Sequence, residues 1–362
     1  MLLKARVLSI LIIGFLARPS ASPAEPPQAP RPAPRALRLG YLSEGSELDS
    51  ARAVLVELRR SLLANERVRA ELRRTGFDDA TIELRACETP QAMIRYLDGA
   101  EFDVAFATAV IYAGMYHPEL DPTAGLRRPE TYRPVLQFYR PDSDVRSSRG
   151  DGVLRRAAIF IGPSSPQWTA DPAAAIDPAA ALEGKEIALT DWWSAPSSIY
   201  PHLKMADVFD ERLPTLRRLW VDRPEEVVKH VISGLVEVGA CDERTLERYG
   251  APGGVALYRT VLLTDAMPTD PILFRAEPSP AISSGLGAEL HIAILAFFSG
   301  QSRPQGSPVP GLTVVDATER AFEDMARALK RFDLLEGAPN PRGPIDRIRP
   351  TPPPAPETPD FE

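Results

Sequence analysis

Strand-like and helix-like segments alternate along this sequence, and this alternation constrains its fold more than any other feature. Segment 37–42 alternates apolar and polar residues as a strand does, and segment 49–74 carries leucine and valine at helical spacing. Strand patterns at 81–86 and 102–107 then frame a second helix. Because parallel strands need a long crossover between them, usually a helix, this order predicts a doubly wound α/β lobe.

A second series of the same elements begins at about residue 157. Further strand patterns lie at 157–161, 185–190, 216–221, 236–241 and 255–263. Segment 97–105 also resembles segment 232–240, because each runs from a helix end through a glycine and an acidic residue into a strand of small or apolar residues. The repeated order predicts two similar lobes, each with a mostly parallel sheet and flanking helices.

The chain is predicted to return to the first lobe near its end. A short strand pattern there is followed by helical patterns at 287–298 and 316–332. We therefore assign residues 37–140 and 272–337 to lobe 1 and residues 141–271 to lobe 2. Ligands of α/β folds bind between domains and at the carboxyl ends of parallel strands, which predicts a site in the cleft between the lobes.

Residues 1–24 have the features of a secretory signal. Lys4 and Arg6 precede an apolar run at 7–17, and small residues at 20–24 offer a cleavage site. The apolar run is shorter than the ~20 residues that a membrane span needs, although an uncleaved anchor is the alternative interpretation. The pattern predicts a periplasmic or secreted protein.

Two proline-rich segments flank the predicted folded body. Residues 25–36 form a Pro/Ala/Arg linker, and residues 338–362 form a tail that contains Pro352-Pro353-Pro354. Such segments contain too little apolar surface to offset the entropy lost on ordering. We therefore predict that the tail is disordered and that the linker is extended and flexible.

The charge and cysteine content of the chain exclude two classes of protein. It has 42 Lys and Arg against 49 Asp and Glu, a formal net charge of -7, and an acidic chain has no electrostatic reason to hold a nucleic acid. Its two cysteines, Cys87 and Cys241, are too few for a disulfide scaffold. Both follow predicted strands, one in each lobe, and we expect them to be unpaired.

Catalytic motifs are missing from the sequence. It contains no G-x-S-x-G elbow, no phosphate-binding G-x-x-x-x-G-K-[ST] loop, no C-x-x-C pair and no H-E-x-x-H motif. The histidines are isolated from one another, at His117, His202, His230 and His291. We therefore predict no catalytic residues, no metal and no cofactor.

Three segments, in order, resemble the periplasmic substrate-binding proteins of phosphonate, phosphite and phosphate ABC transporters. They are 99–106, then 182–191 with the serine-rich turn at 194–201, and finally 238–242 with 267–271. The resemblance covers residues 37–298 and implies a two-lobed type 2 periplasmic-binding fold. It also implies a monomeric periplasmic protein that passes a small anionic organic ligand to a membrane permease or a sensor.

The serine-rich turn is the first part of the predicted ligand site. Ser194, Ser197 and Ser198 open a helix, where backbone N–H groups, hydroxyls and the helix dipole favour an anion. The alternative interpretation is that one serine caps the helix and binds nothing else. Ser43, in the loop after the first strand, is a candidate ligand residue from lobe 1.

Two acidic residues and a tryptophan complete the predicted site. The resemblance places Asp242 and Asp270 near the ligand, where they would accept hydrogen bonds from an amine or a protonated oxyanion. Alternatively, Asp242 caps its helix and Asp270 organises a turn. Trp193, beside Trp192 at the mouth of the serine-rich turn, either stacks on an organic ligand or fills the surface between the lobes.

The sequence departs from the family at several positions of the site. Ala195 lacks the hydroxyl expected there and Pro196 lacks an N–H donor, although proline is well tolerated at the start of a helix. Pro90 and Ala107 stand where the family has aromatic ligand contacts. We therefore expect a larger or less charged ligand than a simple phosphonate.

Two further function classes stay open on sequence grounds. The predicted ligand site lacks hydrogen-bond donors, and a proline-rich linker and tail flank the fold. Both features are compatible with a ligand-sensing or protein-interaction module on the same fold. An enzyme using the cleft would need a nucleophile or a cofactor lysine, and Lys185 and Lys204 are the lysines near the serine-rich turn.

Overall fold

The computed structural model describes residues 34–43, 51–116, 131–140, 145–146, 153–169, 171, 174–209, 216–251, 255–276, 282–300 and 312–335. The predicted signal segment, most of the linker, the proline-rich tail and His117 lie outside these residues. None of the helices in the described part of the chain combines the length and the apolar character that crossing a membrane requires.

Strands and helices alternate through the described residues, as the sequence predicts. The strands are β1 (Arg35–Leu42), β2 (Phe77–Cys87), β3 (Val104–Phe106), β4 (Tyr132–Tyr139), β5 (Val145–Arg146), β6 (Val153–Arg155), β7 (Ala157–Ile161), β8 (Glu186–Leu189), β9 (Arg217–Trp220), β10 (Val238–Asp242), β11 (Arg259–Leu263), β12 (Met267–Pro268), β13 (Pro271–Arg275) and β14 (Thr313–Asp316). The helices are α1 (Ala51–Ala64), α2 (Glu66–Arg74), α3 (Pro90–Asp98), α4 (Ala109–Tyr116), α5 (Pro178–Leu182), α6 (Tyr200–Val208), α7 (Pro224–Ile232), α8 (Glu243–Gly250), α9 (Ser284–Phe298) and α10 (Arg320–Leu335). A π-helical turn, Ala195–Ile199, runs directly into α6.

The first sheet has six strands in the order β14-β4-β13-β3-β1-β2. Strand β1 pairs in parallel with β2 and β3, whereas β13, β4 and β14 are joined by antiparallel pairing. Leu37 and Leu39 of β1 point into a core shared with Leu58 of α1 and Leu290 of α9. We call this sheet, with α1–α4 and α9, the six-stranded lobe.

The second sheet has five strands in the order β11-β7-β10-β8-β9. Strand β8 is parallel to β10 and β9, and β7 is antiparallel to β10 and β11. We call this sheet, with α5–α8, the five-stranded lobe. The predicted two-lobed α/β fold is confirmed. The sheets contain parallel pairs but are mixed, where the prediction has mostly parallel pairing, because strands that enter or leave through the connections between lobes run against their neighbours.

Two crossover strands connect the lobes. Strand β6 leads from the six-stranded lobe to the five-stranded lobe, β12 leads back, and the two pair antiparallel. The buried side chain of Gln137 in β4 holds both connections. Its amide nitrogen donates to the carbonyls of Val153 (2.9 Å) and Thr269 (3.1 Å), and its amide oxygen accepts from the Val153 N–H (3.1 Å). The crossover is therefore a hydrogen-bonded joint and not a loose linker.

Helix α10 packs against both lobes. It contacts α4 of the six-stranded lobe, α6 and the π-helical turn of the five-stranded lobe, and the crossover strand β12. The buried side chains at this junction form what we call the interlobe cluster, which includes Tyr112, Ala109, Ala195, Ile199, Leu203, Met267, Phe322, Met325, Leu329 and Phe332. The described residues from Arg35 onward accordingly form one compact unit.

Some local details differ from the sequence predictions, among them the short strands β5, β6 and β12, which are not predicted. The predicted helix 49–74 is two helices, because Asn65 ends α1 and its side-chain oxygen caps α2 by accepting from the N–H groups of Arg67 (3.0 Å) and Val68 (3.3 Å). Strand β4 is not predicted, since Pro134 interrupts a strand pattern. Strand β14 is also not predicted, because four residues carry little periodicity.

Candidate functional site

The serine-rich turn lies between the carboxyl end of β8 and helix α6. Ser194 is the N-cap of the π-helical turn, because its hydroxyl accepts from the Ser197 N–H (3.2 Å). Its carbonyl accepts from the N–H groups of Ser198 (2.9 Å) and Ile199 (3.1 Å). Pro196 has no N–H to offer. Several donors of this helix start are therefore either used within the turn or absent.

Ser197 joins three segments of the five-stranded lobe. Its buried hydroxyl accepts from the Thr190 N–H (2.8 Å) and donates to the Ala240 carbonyl in β10 (2.7 Å). These two bonds hold the end of β8, the turn and β10 together. The hydroxyl of Ser197 therefore fixes the geometry of the site, whatever else it contacts.

Two hydroxyls next to this joint are buried without a hydrogen-bond partner among the described residues. They are the hydroxyl of Ser198, in the first turn of the helix, and the hydroxyl of Thr190, directly after β8. Ser198 is 0% exposed and Thr190 is 4% exposed. An unsatisfied buried hydroxyl costs about 1–3 kcal/mol, so both are poised to bond to a molecule that reaches them.

Asp270 stands at the start of a second helix that borders the interlobe cluster. Its carboxylate accepts from the N–H of Ala109, the first residue of α4 (2.9 Å), and lies 3.7 Å from the Arg155 guanidinium of β6. Ala109 belongs to the interlobe cluster, as do Ala195 and Ile199 of the serine-rich turn. The structure thus brings Asp270 and the turn to the border of one cluster, with the Asp270 carboxylate already capping α4.

Asp242 and Ser43 make local contacts. The Asp242 carboxylate accepts from the N–H (2.9 Å) and the hydroxyl (2.7 Å) of Thr245, and so caps α8. Ser43 lies at the exposed end of β1, where its N–H (2.9 Å) and its hydroxyl (3.1 Å) both donate to the Cys87 carbonyl. Neither residue joins the contacts that link the serine-rich turn to β8 and β10.

The two tryptophans of the turn are half-buried against the interlobe cluster. The Trp193 N–H donates to the Asp191 carboxylate (2.6 Å), which orders the loop after β8. The Trp192 ring lies 6.1 Å from the ring of His202 and 5.0 Å from that of Phe332, measured between centroids. Trp192 therefore fills the surface between α6 and α10, while part of Trp193 stays open to solvent.

His202 and Thr190 are features that the sequence analysis did not select. His202 is buried in α6, its Nδ1 lies 2.6 Å from the Ser198 carbonyl, and burial lowers its pKa to about 4. An isolated histidine gives no sequence signal of this environment. Thr190 does give one, because a hydroxyl residue at the carboxyl end of a strand faces the region where α/β folds bind ligands.

The lysines near the serine-rich turn face carboxylates, and the two cysteines are buried. The Lys185 ammonium pairs with Glu237 (2.6 Å), and that of Lys204 lies 4.0 Å from Asp265. Cys87 and Cys241 are both buried without a disulfide, and burial raises the pKa of the Cys87 thiol to about 11. The described residues contain no cluster of side chains suited to a metal ion.

The match of this chain to known proteins agrees with this architecture. A family model described as "ABC transporter, phosphonate, periplasmic substrate-binding protein" matches residues 64–299. A comparison with curated proteins gives no match.

Several solved structures share the fold at low sequence identity. XAC2383 from Xanthomonas citri, bound to ATP, has a TM-score of 0.55 at 17% identity and covers 82% of this chain and 98% of its own. PhnD1 from Prochlorococcus marinus, in complex with methylphosphonate, has a TM-score of 0.52 at 11% identity and covers 82% and 97%. A phosphonate-transporter binding protein from Pseudomonas aeruginosa, PA3383, has a TM-score of 0.50 at 12% identity and covers 84% and 90%.

Proposed function

Because this chain belongs to the periplasmic substrate-binding proteins of phosphonate ABC transporters, we propose that its serine-rich turn binds the anionic group of a small organic ligand. The protein is a periplasmic carrier that works with an ABC transporter. The observation that carries the proposed site is a pair of buried hydroxyls without a hydrogen-bond partner among the described residues, that of Ser198 in the first turn of a helix and that of Thr190 directly after β8. A helix start favours negative charge, and hydroxyl donors to an anion make strong hydrogen bonds.

The character of the ligand follows from what surrounds these hydroxyls. Ser194 and Ser197 use their hydroxyls within the protein, and Ala195 and Pro196 supply no side-chain donor. The turn itself packs into the apolar interlobe cluster, to which Ala195 and Ile199 belong together with Met267. An anion with an apolar organic substituent fits this environment better than phosphate, whose several charged oxygens would lack donors.

Binding would use the arrangement of the two lobes. The serine-rich turn belongs to the five-stranded lobe, and Asp270 caps α4 of the six-stranded lobe. A ligand that contacts both sides favours their closed arrangement over an open one, with the crossover strands as the joint. The protein would act as a monomer, and we propose no reaction for the cleft, since Lys185 and Lys204 lie beside acidic partners.

A thermal-shift titration tests the proposed site. Methylphosphonate, phenylphosphonate, methanesulfonate and inorganic phosphate are added to the full chain, and a ligand at about 100 times its Kd stabilises the protein by ~2.7 kcal/mol. We expect phenylphosphonate to give a larger shift than phosphate. Ser198→Ala should weaken binding by roughly 10-fold or more, because a hydrogen bond to a charged group is lost.

Ser233→Ala is the matched control for this titration. Ser233 belongs to the same lobe, but its hydroxyl is exposed and donates to the His230 carbonyl. Its replacement should leave the Kd unchanged. The site assignment fails if Ser198→Ala binds as tightly as the parent, and the proposed ligand class fails if phosphate shifts the melting curve more than every organic anion.

A further inference from the structure

An aromatic and basic surface lies on the edge of the five-stranded lobe, outside the proposed ligand site. Strand β9 is the last strand of the described sheet, and its Trp220 is 44% exposed. The Trp220 ring lies 6.0 Å from that of Trp192, and the Arg218 guanidinium lies 5.1 Å from the Trp192 ring centroid. With the exposed Arg217, these residues form what we call the tryptophan surface.

The end of α10 lies against the same surface. The Phe332 ring is 5.0 Å from that of Trp192, and Arg331 pairs with Asp207 of α6 at 2.6 Å. Helix α10 ends at Leu335, three residues after Phe332, so the described chain ends about one helical turn from the residue that contacts Trp192. Residues 336–362 continue from this point, outside the described part of the chain.

The composition of that segment complements the tryptophan surface. Pro352-Pro353-Pro354 favours a polyproline II helix, which docks between exposed aromatic rings at a low entropic cost. Glu357, Asp360 and Glu362 follow, and their carboxylates match the charges of Arg217 and Arg218. We propose that residues 352–362 dock on the tryptophan surface of the same molecule.

The connection is long enough for this contact. Sixteen residues, 336–351, separate Leu335 from Pro352. A flexible chain of that length has an end-to-end distance of roughly 20 Å, and an extended one reaches about 50 Å. The distance to be covered is short, because the Trp192 ring lies 5.0 Å from the Phe332 ring and 6.0 Å from the Trp220 ring. Tethering also gives the segment an effective concentration near the mM range, so a weak contact is sufficient for docking.

The distribution of charge favours residues 352–362 over residues 336–351 as the part that docks. Arg342, Arg347 and Arg349 lie in the stretch between α10 and the prolines, where they would be repelled by Arg217 and Arg218. Glu336 and Asp346 also lie in that stretch, which carries three arginines against these two carboxylates, whereas the part assigned to the contact carries three carboxylates and no basic residue. Docking should therefore weaken with added salt, because exposed charges are screened.

Photo-crosslinking in the full chain tests this contact. p-Benzoylphenylalanine is placed at Phe361, the purified protein is irradiated, and the crosslinked peptides are identified by mass spectrometry. We expect intrachain crosslinks to the peptides that contain Trp192 or residues 217–220, with a yield that does not depend on protein concentration. Trp220→Ala should lower that yield by about fivefold or more, as expected for losing an aromatic contact.

A matched control and a second variant complete the experiment. Leu235→Ala removes a side chain that is 63% exposed in the same lobe and should leave the crosslinks unchanged. Glu357→Lys with Asp360→Lys reverses the charge of the segment without altering the folded lobes and should reduce the yield as Trp220→Ala does. Crosslinks spread over the whole surface, crosslinks between molecules that grow with concentration, or a yield insensitive to both variants would each overturn the proposal.

Discussion

At the scale of single residues, His202 is a buried imidazole that stays neutral at pH 7. Burial lowers its pKa to about 4, while an unfolded histidine titrates near 6.5. The unfolded state therefore binds the proton more readily between these values. The stability that neutral His202 contributes is present in full above about pH 6.5 and is lost as the pH falls toward 4.

His202→Gln should flatten the dependence of stability on pH. In urea denaturation between pH 4 and pH 7, we expect the parent to lose up to about 3 kcal/mol more than the variant, the equivalent of the difference in pKa. His230→Gln is the control, since His230 also contacts the carbonyl four residues earlier (2.6 Å) but is only partly buried. If the free energy of unfolding depends on pH in the same way in the parent and in His202→Gln, the lowered pKa of His202 is contradicted.

At the scale of elements, the joint between the lobes depends on one side chain. The three hydrogen bonds of Gln137 reach Val153, at the start of β6, and Thr269, directly after β12. Gln137→Leu keeps a similar volume but leaves the Val153 N–H and the Thr269 carbonyl without this partner. We expect a loss on the order of 2–4 kcal/mol in the free energy of unfolding, measured by urea denaturation.

Hydrogen exchange separates a local effect of this variant from a global one. The Val153 amide should exchange faster in Gln137→Leu than amides in the core of β1, because its acceptor is lost. Gln91→Leu, at a partly exposed position of α3, should change stability by no more than about 0.5 kcal/mol. Equal stability of parent and Gln137→Leu would show that the joint does not depend on this residue.

At the scale of the whole molecule, α10 couples the two lobes. Phe332 is fully buried and packs against the rings of Trp192 and His202, while Phe322 packs against Tyr112 of α4. Phe332→Ala should lower the free energy of unfolding by about 3–5 kcal/mol, the usual cost of a cavity of this size. Ile292→Ala, at a residue of α9 that is mostly exposed, is the control and should have little effect. If Phe332→Ala lowers the free energy of unfolding less than Ile292→Ala does, the role of α10 in coupling the lobes is contradicted.

Much of the fold could be read from local patterns. The alternation of strands and helices, the helix start at the serine-rich turn and the exclusion of common catalytic motifs depend on residues close together in sequence, and the structure has the same order of elements. The break at Asn65 and the short strand β14 were beyond such patterns, since a cap and a four-residue strand alter the periodicity very little.

The sequence by itself determined that a helix begins at the serine-rich turn, because helical spacing, proline and serine act within a few residues. Only the tertiary structure decided how each serine is used. Ser197 bonds to Ala240, which is 43 positions away, and Ser198 is buried without such a bond. Likewise, α10 packs across both lobes through residues more than a hundred positions from their partners. Burial and hydrogen bonding at the site come from contacts between distant segments, and periodicity within one segment carries no information about them.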